Sequence, residues 1–128
     1  MNVVDSSGWI EYLGDGPNAD FFAKAVTDAS RLVVPTISIF EVCRWVRREL
    51  GERRAVEAMA LMQQGHVLEL DATLAMSAAR LSLDLKLPMA DSIILASARA
   101  NNATLWTQDD DFKGMDGVKY VAKKKPAK

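Results

Sequence analysis

Five short apolar runs recur along the chain, with stretches of helical spacing between them: Asn2-Val3-Val4-Asp5, Arg31-Leu32-Val33-Val34-Pro35, His66-Val67-Leu68-Glu69-Leu70, Ala103-Thr104-Leu105-Trp106-Thr107 and Val118-Lys119-Tyr120-Val121. This alternation constrains the fold more than any single residue does. Short apolar strands separated by helices pair in parallel and are covered on both faces. The predicted architecture is an α/β sandwich of three layers, with a five-stranded parallel sheet between two helical layers. Crossovers in such a sheet are right-handed, and ligands bind beyond the carboxyl ends of the strands.

The helices follow from apolar spacing and punctuation. Ser6 and Ser7 offer an N-cap for a short helix over 8–13. Phe21, Phe22, Ala25, Val26 and Ala29 mark a second helix from Ala19. A third runs over Thr36–Leu50, with Ile37, Phe40, Val42, Trp45 and Val46 as its apolar members, until Gly51 breaks it. A fourth covers 55–64. Asp71 caps a fifth over Ala72–Leu85. A sixth starts at Pro88, where a missing N–H costs nothing, and runs to about residue 101. After Ser92 it is apolar all round, so it is expected to be buried.

With 128 residues, 49% of them hydrophobic, the chain reads as one domain over 1–121, followed by a basic tail over 122–128 expected to be disordered. The formal charge of -1 sets no overall preference for a partner. The one cysteine, Cys43, forms no internal disulfide and reads as a small buried hydrophobe beside Val42 and Val46. The opening residues lack the basic region of a signal peptide, and no run reaches membrane-spanning length. The cytoplasm is therefore the expected location, with no membrane partner.

Four acids are expected at one edge of the sheet. Asp5 ends the first strand and Asp109 follows the fourth. Glu41 and Asp91 are expected in the first turns of helices that leave the same edge. Each also has a plainer explanation. Asp91 suits a first helical turn. Ser38-Ile39-Phe40-Glu41 reads as a capping box. Asp109, Asp110 and Asp111 read as a solvated turn. Asp5 resists this treatment, because a carboxylate at the end of an apolar strand is costly to bury without a partner. Converging carboxylates repel one another, and a hard divalent cation such as Mg²⁺ or Mn²⁺ relieves the repulsion.

Other chemistries lack their residues. Gly14-Asp15-Gly16 has neither the spacing of a phosphate loop nor a following Lys-Ser/Thr. The sole histidine, His66, reads as a turn or surface residue, and no Ser/His/Asp triad can be built around it. Zinc spacing is missing. A water activated by a bound cation is the best available nucleophile. Arg44 and Arg48 lie three and seven positions after Glu41, on roughly its helix face. They read either as a solvated surface or as groups that hold a phosphate backbone.

Four motifs stand in the order and spacing of PIN-domain nucleases: Val3-Val4-Asp5-Ser6-Ser7, Ser38-Ile39-Phe40-Glu41-Val42, Leu87-Pro88-Met89-Ala90-Asp91-Ser92-Ile93-Ile94-Leu95-Ala96 and Thr107-Gln108-Asp109-Asp110-Asp111-Phe112. The chain most resembles the VapC-type toxins of toxin–antitoxin pairs, over 2–120. The resemblance implies strand order 3-2-1-4-5 and a Mg²⁺- or Mn²⁺-dependent endoribonuclease that cuts a tRNA or rRNA. It implies that Asp5, Glu41, Asp91 and Asp109 form the catalytic, metal-holding quartet, with Asp111 sharing or taking over one metal contact. Ser6 and Thr107 would be the polar residues behind them. It also implies a homodimer and a VapB-like antitoxin that blocks the site.

Two other readings compete. A receiver-like phosphoacceptor domain would use Asp71 as acceptor and Lys119 as its lysine, but it leaves Glu41 and Asp91 without a task. A catalytically inactive PIN-like binding module would keep the fold and lose the chemistry.

Overall fold

The computed structural model describes residues 1–125, so Pro126, Ala127 and Lys128 of the predicted tail lie outside the described residues. The strands are β1 (Asn2–Val4), β2 (Val33–Pro35), β3 (His66–Leu68), β4 (Thr104–Thr107) and β5 (Val118–Tyr120). The helices are α1 (Ser6–Leu13), α2 (Ala19–Val26), α3 (Thr36–Leu50), α4 (Glu52–Met62), α5 (Ala72–Leu85) and α6 (Met89–Ala100). Single 3-10 turns, Ala29–Arg31 and Asp110–Phe112, precede β2 and follow β4.

All strand pairs are parallel, as the alternation requires, but the five strands do not form one continuous ladder. β4 lies between β1 and β5, while β2 pairs with β3. A single parallel bridge, Asn2 to Leu32, joins the two ladders. Its partner on the β2 side is the residue before the strand, so one pair forms and the hydrogen bonding goes no further. With strands of three or four residues, the expected single five-stranded sheet becomes a three-stranded and a two-stranded sheet meeting at this bridge.

Side-chain alternation along the strands builds the layers. Val4, Val34 and Trp106 point to one face and pack with Trp9, Phe22, Val42, Val46 and Met62 from α1 to α4. Their strand neighbours Val3, Val33 and Leu105 point to the other face and pack with Leu87, Ile94, Leu95 and Ala98 around α6. Ile93 and Ala96 of α6 then meet Leu74 and Ala78 of α5. The run from Ile93 to Ala98 is buried, as its all-round apolar character predicts. Trp9, Phe22, Ala25 and Val26 are core residues as well.

Several local expectations change. Asp5, rather than Ser6 or Ser7, caps α1, because its carboxylate accepts the Gly8 amide. Pro88 stands one position ahead of α6 as its N-cap residue. α4 starts at Glu52 and ends at Met62. Gly51 serves as the end of α3 and the start of α4, and its φ of 92° is why a glycine makes that corner. β3 is shorter than its apolar run and mostly exposed, as an edge strand can be. Cys43 is only half-buried. At the other end, the Asn18 amide donates to the Ala122 carbonyl, so the first residue of the basic tail is docked on the domain.

Candidate active site

The carboxyl ends of β1 and β4, the starts of α1 and α6 and the middle of α3 border a cleft of about 400 Å³. Asp5, Glu41, Asp91 and Asp109 all line it, together with Ser6, Arg44 and Arg48. The expected quartet, both arginines and one of the two expected polar residues therefore face one space. Thr107, the other, is fully buried directly behind Asp5.

Asp5 has the most determined position. It is only 2% exposed. Its Oδ1 accepts the Gly8 amide at 2.8 Å and the Ser7 hydroxyl at 2.9 Å. Its Oδ2 accepts the Thr107 hydroxyl at 2.6 Å. Burial nevertheless dominates over these donors and, with the Asp109 charge nearby, raises the Asp5 pKa from 3.8 to about 6.

Glu41 arrives differently from the sequence expectation. α3 starts at Thr36 with Pro35 as its N-cap residue, so Ser38 lies inside the helix and no capping box forms. Glu41 is in the second turn, and its Oε1 accepts the Ser6 hydroxyl at 2.6 Å. Ser38 Oγ, by contrast, is buried with no hydrogen-bond partner among the described residues. Asp91 occupies the first turn of α6 as expected. Its pKa rises from 3.8 to about 7, through burial first, then the Asp109 charge and a hydrogen bond with Asp111, with the Asp111 and Asp5 charges adding to it.

The acidic turn is solvated, as expected, with Asp110 and Asp111 exposed, and it is also ordered by its own hydrogen bonds. The Asp109 amide donates to Thr107 Oγ1 at 2.9 Å, and Asp109 Oδ1 accepts the Asp111 amide at 2.9 Å, closing the 3-10 turn. Tyr120 donates its hydroxyl to Asp110, which ties that acid to β5. Asp91, Asp109 and Asp111 each offer an oxygen within 4.8 Å of the others. This close set includes Asp111, whereas Asp5 and Glu41 border the cleft beside it. The ion pairs among the described residues, Arg47–Glu52 and Arg48–Glu49, leave these carboxylates without a cationic side chain. Crowded hard oxygens that no cationic side chain pairs with among the described residues fit a hard divalent cation.

Two residues of the site were not singled out from sequence. Ser7 holds Asp5 through both carboxylate oxygens. Its place straight after the strand-ending acid was the available signal. Phe40 was counted among the apolar members of α3, yet it lies open on the cleft wall. The receiver-like arrangement does not form. Asp71 caps α5 through the Leu74 amide and lines a different hollow, and the Lys119 ammonium sits 4.4 Å from the Trp106 ring centre. His66 is exposed, with Nε2 3.1 Å from the Ser30 carbonyl oxygen.

The PIN domain family profile matches residues 3–118. No curated protein sequence matches the chain. Among solved structures, the fold is similar to a toxin–antitoxin complex from Klebsiella pneumoniae, with a TM-score of 0.77 and 22% identity over 92% of this chain and 95% of that one. It is also similar to a VapC toxin of Mycobacterium tuberculosis that cleaves the sarcin-ricin loop, with a TM-score of 0.73 and 18% identity over 88% and 92% of the two chains. A third similar structure is a VapBC complex from Rickettsia felis bound to a promoter DNA fragment, with a TM-score of 0.71 and 15% identity over 94% and 97%.

Proposed function

The chain belongs to the PIN domain family, and on that premise we propose that it is a metal-dependent endoribonuclease acting as the VapC-type toxin of a toxin–antitoxin pair. The observation that carries this reading is the meeting of Asp91, Asp109 and Asp111 within 4.8 Å at a cleft that Asp5 and Glu41 also line. Asp91, Asp109 and Asp111 would hold Mg²⁺ or Mn²⁺, with Asp5 and Glu41 completing the acidic wall. A divalent cation bound there would supply an acidified water and offset the negative charge that develops on the phosphate oxygens.

The chain's own groups do the positioning. Thr107, Ser7 and the Gly8 amide fix the Asp5 carboxylate, while Ser6 fixes Glu41. Arg44 and Arg48 line the same cleft and would hold phosphates of the RNA strand. A tRNA or rRNA loop suits a cleft that takes a splayed backbone.

The partners follow the same reading. A VapB-like antitoxin would block the cleft, and its likeness to complexed toxins supports that partner. A homodimer is supported by α5, which presents Met76 (72% exposed) and Leu83 (82% exposed) two turns apart on one side. The bridge between the two ladders supports strand order 3-2-1-4-5. No described helix is long and apolar enough to cross a membrane. The site of action would be the cytoplasm, where the RNA is.

The test is RNA cleavage by purified, antitoxin-free protein with Mg²⁺, with Mn²⁺, with EDTA, and by folded Asp5→Asn and Asp91→Asn variants. Cleavage that requires the metal and disappears in both variants is expected. A wild type that neither cuts RNA nor slows growth on induction would favour the inactive binding module.

A further inference from the structure

Phe40 stands in α3 immediately before Glu41 and is 65% exposed. It belongs to none of the hydrophobic clusters of the core. A single exposed phenylalanine is ordinary. Its location is what matters here, because the ring lines the acidic cleft beside Ile10 and Trp45, which are themselves packed on the core. The cleft thus has a carboxylate side and an apolar, aromatic side. Cation and phosphate need only the first. A phosphodiester also carries bases, whose flat apolar faces suit the second.

The arginines supply the complement. Phe40, Arg44 and Arg48 follow one another at intervals of four, and all three line the cleft. In a helix this places them along one side, each about 6 Å further along the axis. An aromatic ring followed by two guanidinium groups matches a single strand that lays down one base and then its phosphates.

We propose that Phe40 is a stacking platform for an unpaired nucleobase next to the scissile phosphate, and that Arg44 and Arg48 hold the strand beyond it. This rests on the ribonuclease reading and narrows its substrate. Stacking on an aromatic ring accepts any base, because every base has a π-face. Phe40 therefore selects for an unstacked nucleotide and not for a sequence. A base inside a duplex is already stacked and must be pulled out to reach the ring.

The experiment is fluorescence-anisotropy binding of a labelled, randomised single-stranded RNA pool, in Ca²⁺ to limit turnover. An abasic ribose-phosphate strand is the second probe. Wild type is expected to bind the RNA pool more tightly than the abasic strand. Phe40→Ala is expected to weaken RNA binding about 5- to 100-fold and to leave the abasic strand unaffected. Phe40→Trp retains the preference. Phe40→Ala leaves the salt dependence of binding unchanged, whereas Arg44→Gln lowers its slope by about one. Equal binding of RNA by Phe40→Ala and wild type, or equal binding of both strands by wild type, overturns the platform while leaving the ribonuclease standing. A wild type that binds neither strand overturns both.

Discussion

The Thr107 hydroxyl reaches Asp5 across 102 positions of sequence, Oγ1 donating to Oδ2 at 2.6 Å. The same oxygen accepts the Asp109 amide at 2.9 Å. One buried hydroxyl at the end of β4 thus holds the carboxylate of Asp5 and the main chain of Asp109. It can do so because a hydroxyl donates once and accepts as well.

Replacing it isolates this link. Thr107→Val keeps the shape and leaves a buried carboxylate short of a donor and an amide short of its acceptor. The expected loss of stability is about 1–3 kcal/mol in chemical denaturation. RNA cleavage should fall with it, while Thr107→Ser keeps both hydrogen bonds and most of the activity. Unchanged stability and cleavage in Thr107→Val would show that the link is dispensable.

Protonation of the acids gives a pH dependence of defined sign. Asp5 and Asp91 have folded-state pKa values of about 6 and about 7, above the 3.8 of an unperturbed aspartate. The folded protein holds these protons more tightly than the unfolded chain does. Their contribution to stability is therefore complete below the unfolded pKa and is lost as pH rises towards about 7. In EDTA, the melting temperature of the wild type should decline over that window. Asp91→Asn should flatten the decline, because its amide carries no charge. A variant whose profile runs parallel to the wild type would contradict the assignment.

Metal binding should reverse that loss. With Mn²⁺ or Mg²⁺ at neutral pH, a cation held by the folded state alone stabilises it by about 2.7 kcal/mol at a hundredfold excess over Kd. Asp109→Asn and Asp111→Asn should each reduce the gain in melting temperature, since both belong to the close carboxylate set. Asp71→Asn should leave the gain intact, because Asp71 caps α5 and lies outside that set. A metal response lost in Asp71→Asn and kept in the other two would place the cation elsewhere.

Gly8 offers a packing test of the same end of the fold. A Cβ built there would lie 2.6 Å from Phe22 Cε1 and 2.7 Å from Val4 Cγ1. Both neighbours are fully buried. In most helices Gly→Ala helps by about 0.5–1 kcal/mol. Here overpacking should win, with a net destabilisation of about 1–3 kcal/mol. The shift should also disturb the Gly8 amide that holds Asp5, so cleavage should drop even in the folded fraction. Higher stability in Gly8→Ala would show that the core yields at this point.

Local periodicity alone dictates the layer order, because the two-residue period of a strand sends Val3 and Val4, or Leu105 and Trp106, to opposite faces, and each face must then be covered. Strand ends and helix starts coincide at one edge, which brings Asp5, Asp91 and Asp109 together there, while Glu41 reaches the same cleft from the second turn of α3. Other features depend on contacts between distant segments. No local pattern says that Ser6 will satisfy Glu41 in place of Ser38, or that Phe40 is left open while Val42 is buried. The break between the two ladders is likewise tertiary, because it depends on where Leu32 meets Asn2 once the helices have packed. Periodicity fixes which face a residue takes, but hydrogen-bond partners and exposure are decided by what the rest of the chain brings to that face.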